Sequence, residues 1–159
     1  MSTLISDIET NGLRPNVIWV VGILDFDTDE FTAYTHADDN IAEGLLRLME
    51  ADTVVFHNGD DYDVPVIERL TDGLIKFDRS KVLDTLKLGR RLVPEMRTQK
   101  LLEWGEVFEV PKIAFDGWES YDPLMIPRCQ RDCEITKKVF EFLIELAELR
   151  EREAGARSK

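Results

Sequence analysis

Val55-Phe56-His57-Asn58-Gly59-Asp60-Asp61-Tyr62-Asp63-Val64-Pro65 passes from a strand through a loop into a helix. Thr53 to Phe56 has the β-branched and aromatic composition of a short buried strand. Asp63 opens the helix, with Pro65 in the first turn, where its missing N–H is harmless. Upstream, Thr3 to Ser6, Val17 to Phe26 and Glu30 to Thr35 read as strands, and Ile41, Leu45, Leu48 and Met49 have helical spacing. Downstream, Val82-Leu83 is a brief apolar piece, and Asp84-Thr85 caps a helix to about Leu92. Gln99 to Phe108 is a further helix, and residues 111 to 122 read as loop. Pro127 starts or kinks the last helix, whose apolar face is Ile135, Val139, Phe140, Leu143 and Leu146. Three strands, a helix, another strand and then helices is an α/β order. We expect one domain over residues 1–149 and a charged, fraying tail over 150–159.

Composition narrows the function. With 159 residues the chain suits a single core, and its 43% apolar content is ordinary. No stretch reaches the ~18 apolar residues of a membrane span. The first residues lack a secretory pattern, so a cytoplasmic home is expected. Cys129 and Cys133 share a helix face at a spacing that does not suggest a disulfide framework. They read as two buried small residues, with half of a soft-metal site as the alternative. The net charge of −12 argues against tight, non-specific nucleic-acid binding by the whole surface. It is compatible with a metal cage, whose acids the ions offset locally, and it implies weak binding or a substrate delivered by a partner.

Four carboxylates carry the chemistry. In Ser6-Asp7-Ile8-Glu9-Thr10-Asn11-Gly12, strand alternation puts Asp7 and Glu9 on one face. Two like charges there repel unless a cation binds between them. A solvated strand end is the plain alternative. Asp63 alone suits a helix N-cap, and His57 alone suits a hydrogen-bonded core residue. Asp132, in Arg128-Cys129-Gln130-Arg131-Asp132, alone suits an exposed helix position. Arg128 lies one helical turn before it, where an ordinary ion pair contributes ~0.2–0.5 kcal/mol.

The order of these blocks resembles the DEDD family of 3′→5′ exonucleases, whose fold is ribonuclease H-like, with a mixed central sheet flanked by helices. The proofreading domains of short-tailed phage DNA polymerases (family A) are the most similar branch. The resemblance runs from Ser6 to about Phe142. It rests on Asp7-Ile8-Glu9-Thr10-Asn11-Gly12-Leu13, Val55-Phe56-His57-Asn58-Gly59 with Tyr62-Asp63-Val64-Pro65, Asp84-Thr85-Leu86, Leu101-Leu102-Glu103-Trp104-Gly105, and Asp132 with Thr136-Lys137. It implies that Asp7, Glu9, Asp63 and Asp132 bind two divalent cations, Mg²⁺ or Mn²⁺, ~3.5–4 Å apart, with Asp7 bridging both. One ion would activate the attacking water and the other would stabilise the leaving 3′ oxygen. The implied activity is hydrolysis of single-stranded DNA, or of frayed 3′ ends, to nucleoside 5′-monophosphates. A replication or processivity partner and a phage-infected bacterial cell are the implied setting.

One position departs from the family. One branch has a tyrosine four residues before the last aspartate to orient the water, and the other has a histidine five residues before it as base. Here those positions hold Arg128 and Pro127, and neither accepts a proton at neutral pH. Arg128 either binds the scissile phosphate, pairs with Asp132 and weakens or silences the site, or is a changed position in an otherwise tyrosine-type enzyme. We expect an active enzyme with Arg128 on the phosphate or on a ligand carboxylate.

Residues 86 to 102 form the basic stretch, with Lys87, Arg90, Arg91, Arg97 and Lys100. Lys87, Arg90 and Arg91 share a helix face, as a phosphate-contacting ridge or a merely solvated one. Among Trp19, Trp104 and Trp118, any could stack on bases, and Trp104 better suits the core. The resemblance puts Leu13 against the terminal base, and Asn58 is a further candidate nucleic-acid contact. Two readings of other classes remain open: a ribonuclease H-like binding or regulatory protein with little or no catalysis, and an acidic DNA mimic.

Overall fold

Thr3–Thr10 (β1) is the central strand of the sheet in a computed structural model that describes residues 1–159. Ile18–Asp25 (β2) pairs antiparallel with it, and Phe31–Thr35 (β3) pairs antiparallel with β2. Ile41–Glu50 (α1) crosses over to Thr53–Phe56 (β4), which lies parallel to β1. Asp63–Leu70 (α2) and a single turn at Arg79–Lys81 lead to Val82–Asp84 (β5), parallel to β4. The sheet order is β3-β2-β1-β4-β5. Thr85–Leu92 (α3), Leu101–Val107 (α4) and the 33-residue Met125–Arg157 (α5) complete the chain. The expected α/β class with a mixed sheet is the class observed. No helix is long and apolar enough to cross a membrane.

Strand alternation sorts the core into two layers. Leu4, Ile8, Val54 and Phe56 pack with Leu45 and Leu48 of α1 and Val64 and Ile67 of α2. Ile5, Leu24 and Val55 pack on the opposite face with Cys133 and Phe140 of α5. Each such fully buried side chain contributes about 1.5–3 kcal/mol. Ile5 thus aims the odd positions of β1 at α5, and Asp7 and Glu9 continue that row. The register, Asp7 opposite Gly22 and Glu9 opposite Val20, shifts between Glu9 and Thr10.

Three boundaries differ from those expected. β1 runs four residues beyond Ser6, because its polar end is paired with β2 even though its apolar run has stopped. Gln99 lies outside α4, with φ +61° and its side-chain amide donating to the Val93 carbonyl. The charged segment from Arg150, expected as a tail beyond the last helix, continues that helix as far as Arg157. Residues from Glu148 onward are exposed, so tertiary packing does not hold this end. Its Glu, Arg and Ala composition favours helix by itself, and Arg152 reaches Glu148 one turn back. Pro127 sits in the first turn of α5 and does not interrupt it.

Candidate active site

β1 and β4 are parallel, so their C-terminal ends share one rim of the sheet. The β4–α2 loop that starts at that rim carries Asp63 back to it, and the first turns of α5 bring Arg128 and Asp132. A cleft of about 390 Å³ opens there, lined by Asp7, Glu9, Tyr62, Lys112, Trp118, Arg128 and Asp132 among others. Asp7 is half-buried, whereas Glu9, Asp63 and Asp132 are 3–4% exposed. Such burial of carboxylates requires compensation by partners.

Some of that compensation comes from the protein itself. Arg128 Nη1 donates to Glu9 Oε1 and Oε2 at 2.7 and 2.9 Å, and to Asp132 Oδ2 at 3.3 Å. Lys112 Nζ lies 3.2 Å from the same Asp132 oxygen. Trp118 supports the guanidinium, whose central carbon lies 4.8 Å from the ring centroid. Asp132 is therefore not the exposed helix residue its neighbours suggest, and its bond to Arg128 is one arm of a larger cluster.

The rest is uncompensated. Asp63 Oδ1 and Asp132 Oδ1 are buried without a hydrogen-bond partner. The Asp63 carboxylate does not cap α2, whose cap position is Tyr62 without a side-chain bond. Burial pushes Asp63 up to about 7, although backbone N–H groups of Asp63 and Ile8 oppose the rise. Burial likewise holds Glu9 at about 7, with Arg128 pulling the other way. Asp7 is raised well above the usual carboxylate range, first by burial and then by repulsion from Glu9, Asp132 and Asp63. A set of acids that repel one another, with orphaned oxygens, fits hard divalent cations. Ligand atoms of Asp7, Glu9 and Cys129 lie within 4.8 Å of one another. Cys129, however, is a fully buried thiol bonded to the Asp7 carbonyl, and its pKa is raised by its bond with Cys133 and by burial. It stays protonated and is no ligand for a hard ion. Both cysteines are free, as the spacing suggested.

The surrounding loops are braced. Tyr62 Oη donates to the Gly12 carbonyl at 2.7 Å and meets Thr10 Oγ1 at 2.6 Å. Asn11 bonds Asn16, and Arg69 Nη2 donates to the Pro15 carbonyl. These ties hold Leu13, 92% exposed, at the cleft mouth. His57 is pushed down to about 4 by burial, so it is neutral. Its Nε2–H donates to the Gln99 carbonyl at 2.9 Å, and Nδ1 accepts from Thr85 at 2.8 Å. It is the hydrogen-bonded core residue and joins the β4–α2 loop to α3. Asn58 adopts φ +64°, which asparagine tolerates, and its backbone N–H donates to Asp84. Its side chain lies outside the cleft.

Lys87, Arg90, Arg91, Arg97 and Lys100 fall on or beside α3, and all five are exposed. Lys87 is committed to Asp60 at 2.9 Å and approaches Asp61. Trp104 is core, and Trp19 donates its indole N–H to the Trp118 carbonyl, which leaves Trp118 as the tryptophan of the cleft. Lys112 is the site residue that sequence reasoning missed. It lies in an irregular segment, and its only signal is a lone cation between Pro111 and Asp116.

A family model for the RNase H superfamily matches residues 4–103, and the chain belongs to that superfamily. The DNA-directed DNA polymerase of Escherichia phage T7 is 33% identical over 98 residues, taking in 55% of this chain. The chain spans 14% of that polymerase's length. Among solved structures, Brucella melitensis NrnC with bound Mg²⁺ superposes with a TM-score of 0.74 at 20% identity, over 98% of this chain and 78% of NrnC. Exonuclease X, in complex with 5′ overhanging duplex DNA, gives 0.57 at 14% identity, over 90% and 91%. The resemblance read from the motifs, and the ribonuclease H-like fold it implied, are borne out.

Proposed function

We propose that the chain is a metal-dependent 3′→5′ exonuclease that releases nucleoside 5′-monophosphates from single-stranded DNA or frayed 3′ ends. The observation that carries this reading is the convergence of Asp7, Glu9, Asp63 and Asp132 at one rim, with buried oxygens that lack partners. Those four residues are the proposed holders of two divalent cations, Mg²⁺ or Mn²⁺. When bound, such ions supply an activated water and charge stabilisation at the leaving oxygen. Arg128 offers its donors to the phosphate, and Lys112 offsets charge at Asp132. Trp118 and Leu13 line the cleft where a terminal base would rest. The cations Arg90, Arg91 and Lys100 are the proposed track for the strand. The structural neighbours lend support: NrnC has been seen with Mg²⁺ and with pGG, and exonuclease X with DNA.

The competing reading is a binding protein with little or no catalysis. The pairing of Arg128 with Glu9 and Asp132 favours it. One experiment separates the two. Oligonucleotides labelled at the 5′ or the 3′ end, as single- and double-stranded DNA and RNA and as dinucleotides, are incubated with Mg²⁺ or Mn²⁺. Ladders that shorten from the 3′ end, fastest on single-stranded DNA, support the exonuclease. No digestion of any substrate, with binding retained, supports the alternative.

A further inference from the structure

All three hydrogen bonds of Arg128 to carboxylates start from one nitrogen, Nη1. Its Nε–H is buried without a partner. A guanidinium at full strength grips an oxyanion through two nitrogens in parallel. Here the grip on Glu9 and Asp132 is one-handed, and donors of the fork are left unused. Trp118 holds the flat face of the group, with its own carbonyl tied to Trp19 and its ring against Phe115. The guanidinium is thus mounted on a fixed platform and held by its tip.

Charge at the rim points the same way. With all four carboxylates ionised, as metal ligands must be, Arg128 and Lys112 leave two net negative charges, which one divalent ion balances. Arg128 and Lys112 act at Glu9 and at Asp132 Oδ2, while Asp7 has no ion-pair partner and Asp63 Oδ1 and Asp132 Oδ1 are unpartnered. The oxygens open to a cation and those already held by one are therefore different atoms.

We infer that Arg128 is a displaceable latch. In the free protein it stands in for a cation at Glu9 and Asp132, so the site takes a single divalent ion. An incoming phosphate, which can engage two guanidinium nitrogens at once, draws Arg128 off Glu9 and frees that carboxylate for a second ion. The inference rests on the exonuclease reading for the nature of the phosphate. It makes loading of the complete site conditional on substrate.

Counting Mn²⁺ tests it without measuring turnover. Protein is titrated with Mn²⁺, free ion is read by electron paramagnetic resonance, and thymidine 5′-monophosphate serves as the phosphate probe. The parent chain is expected to bind one ion alone and two with the nucleotide. Arg128→Met, which keeps an unbranched side chain against Trp118, is expected to bind two without nucleotide. Two ions on the parent alone, one ion on a folded Arg128→Met, or no gain from the nucleotide would overturn the latch. Arg128→Gln is a second variant, expected like Arg128→Met to bind two ions without nucleotide, so a poorly folding variant leaves the test intact. Two ions on the parent alone together with 3′-end digestion would remove the latch and keep the exonuclease. No ion bound and no digestion would remove both.

Discussion

Arg128, on the first turns of α5, holds both carboxylate oxygens of Glu9 on β1 at 2.7 and 2.9 Å. The two residues are 119 positions apart, and the bond ties the end of the sheet to the last helix. If the same guanidinium also serves the scissile phosphate, Arg128→Ala should slow single-strand digestion by about 10²-fold, the scale for losing a preorganised donor. Arg128→Tyr, which supplies a hydroxyl near the attacking water, should be faster than Arg128→Ala. Rates in Mg²⁺ and in Mn²⁺ are the measurement. An alanine variant as fast as the parent would sink the phosphate role.

Asp63 gives a pH signature. Its folded pKa of about 7 lies above the ordinary carboxylate value, so holding it charged costs stability. The raised value favours the fold at low pH, and that benefit is lost as pH rises from about 4 through about 7. Asp63→Asn removes the penalty. Without metal, the variant should therefore gain on the parent as pH rises from about 4 to about 8, by up to about 4 kcal/mol if the full shift is realised. His57 titrates in both proteins and cancels from the difference, while Asp7, relieved of repulsion from Asp63, adds to the variant's gain in the same direction. Denaturant melts across this range, with chelator, are the check; a flat difference would contradict the burial argument. Mn²⁺ should reverse the order at the alkaline end by stabilising only the parent.

The cations of α3 and the segment after it should show in the salt dependence. Replacing Arg90, Arg91 and Lys100 together by alanine should weaken single-strand binding. The salt slope should flatten by about 0.7 for each phosphate that is no longer neutralised. Lys87→Ala should do less, since Lys87 is already paired with Asp60. Affinity titrations between low and moderate salt, on a metal-ligand variant that does not digest the strand, would report it.

Tyr62 and Leu13 separate bracing from strand binding. Tyr62→Phe removes the bond to the Gly12 carbonyl and should cost about 1 kcal/mol of stability. Leu13→Ala should leave stability unchanged, because the side chain is exposed, yet reduce digestion of paired ends more than of single strands. Thermal melts and the two digestion rates distinguish them.

Gly22 is a tight point behind the site. A Cβ there would run into Cys129 Sγ and press on Phe31. Gly22→Ala should destabilise by about 1–3 kcal/mol. Relief by shifting α5 would move Arg128 and Asp132 away from Glu9. A double variant, Gly22→Ala with Cys129→Ala, should recover part of the loss in a melt.

The sheet, its order of elements and the four acids were legible because each leaves a local mark. β-branched runs mark the strands, Asp84 marks the start of α3, and Asp-x-Glu marks alternation. The end of β1 at Thr10 was not legible, since its pairing with β2 depends on residues well separated in sequence. Asp63 taken alone suited a cap, because a buried carboxylate and a capping one look alike until neighbours are known. Lys112 was hidden for the same reason: its meaning lies in its 3.2 Å approach to Asp132, far along the chain. The pairing of Arg128 with Glu9, rather than with Asp132 alone, is likewise a fact of the fold and not of spacing.

The outer half of α5 suggests a practical use. From Asp132 to Arg157 the helix extends about 37 Å at about 1.5 Å per residue, and its last two turns are exposed on every side. An anchoring group at Arg157 would hold the molecule by a rigid stalk, with the cleft at the far end left free. Single molecules fixed to a slide in this way would let the proposed stepwise shortening of a strand be looked for directly.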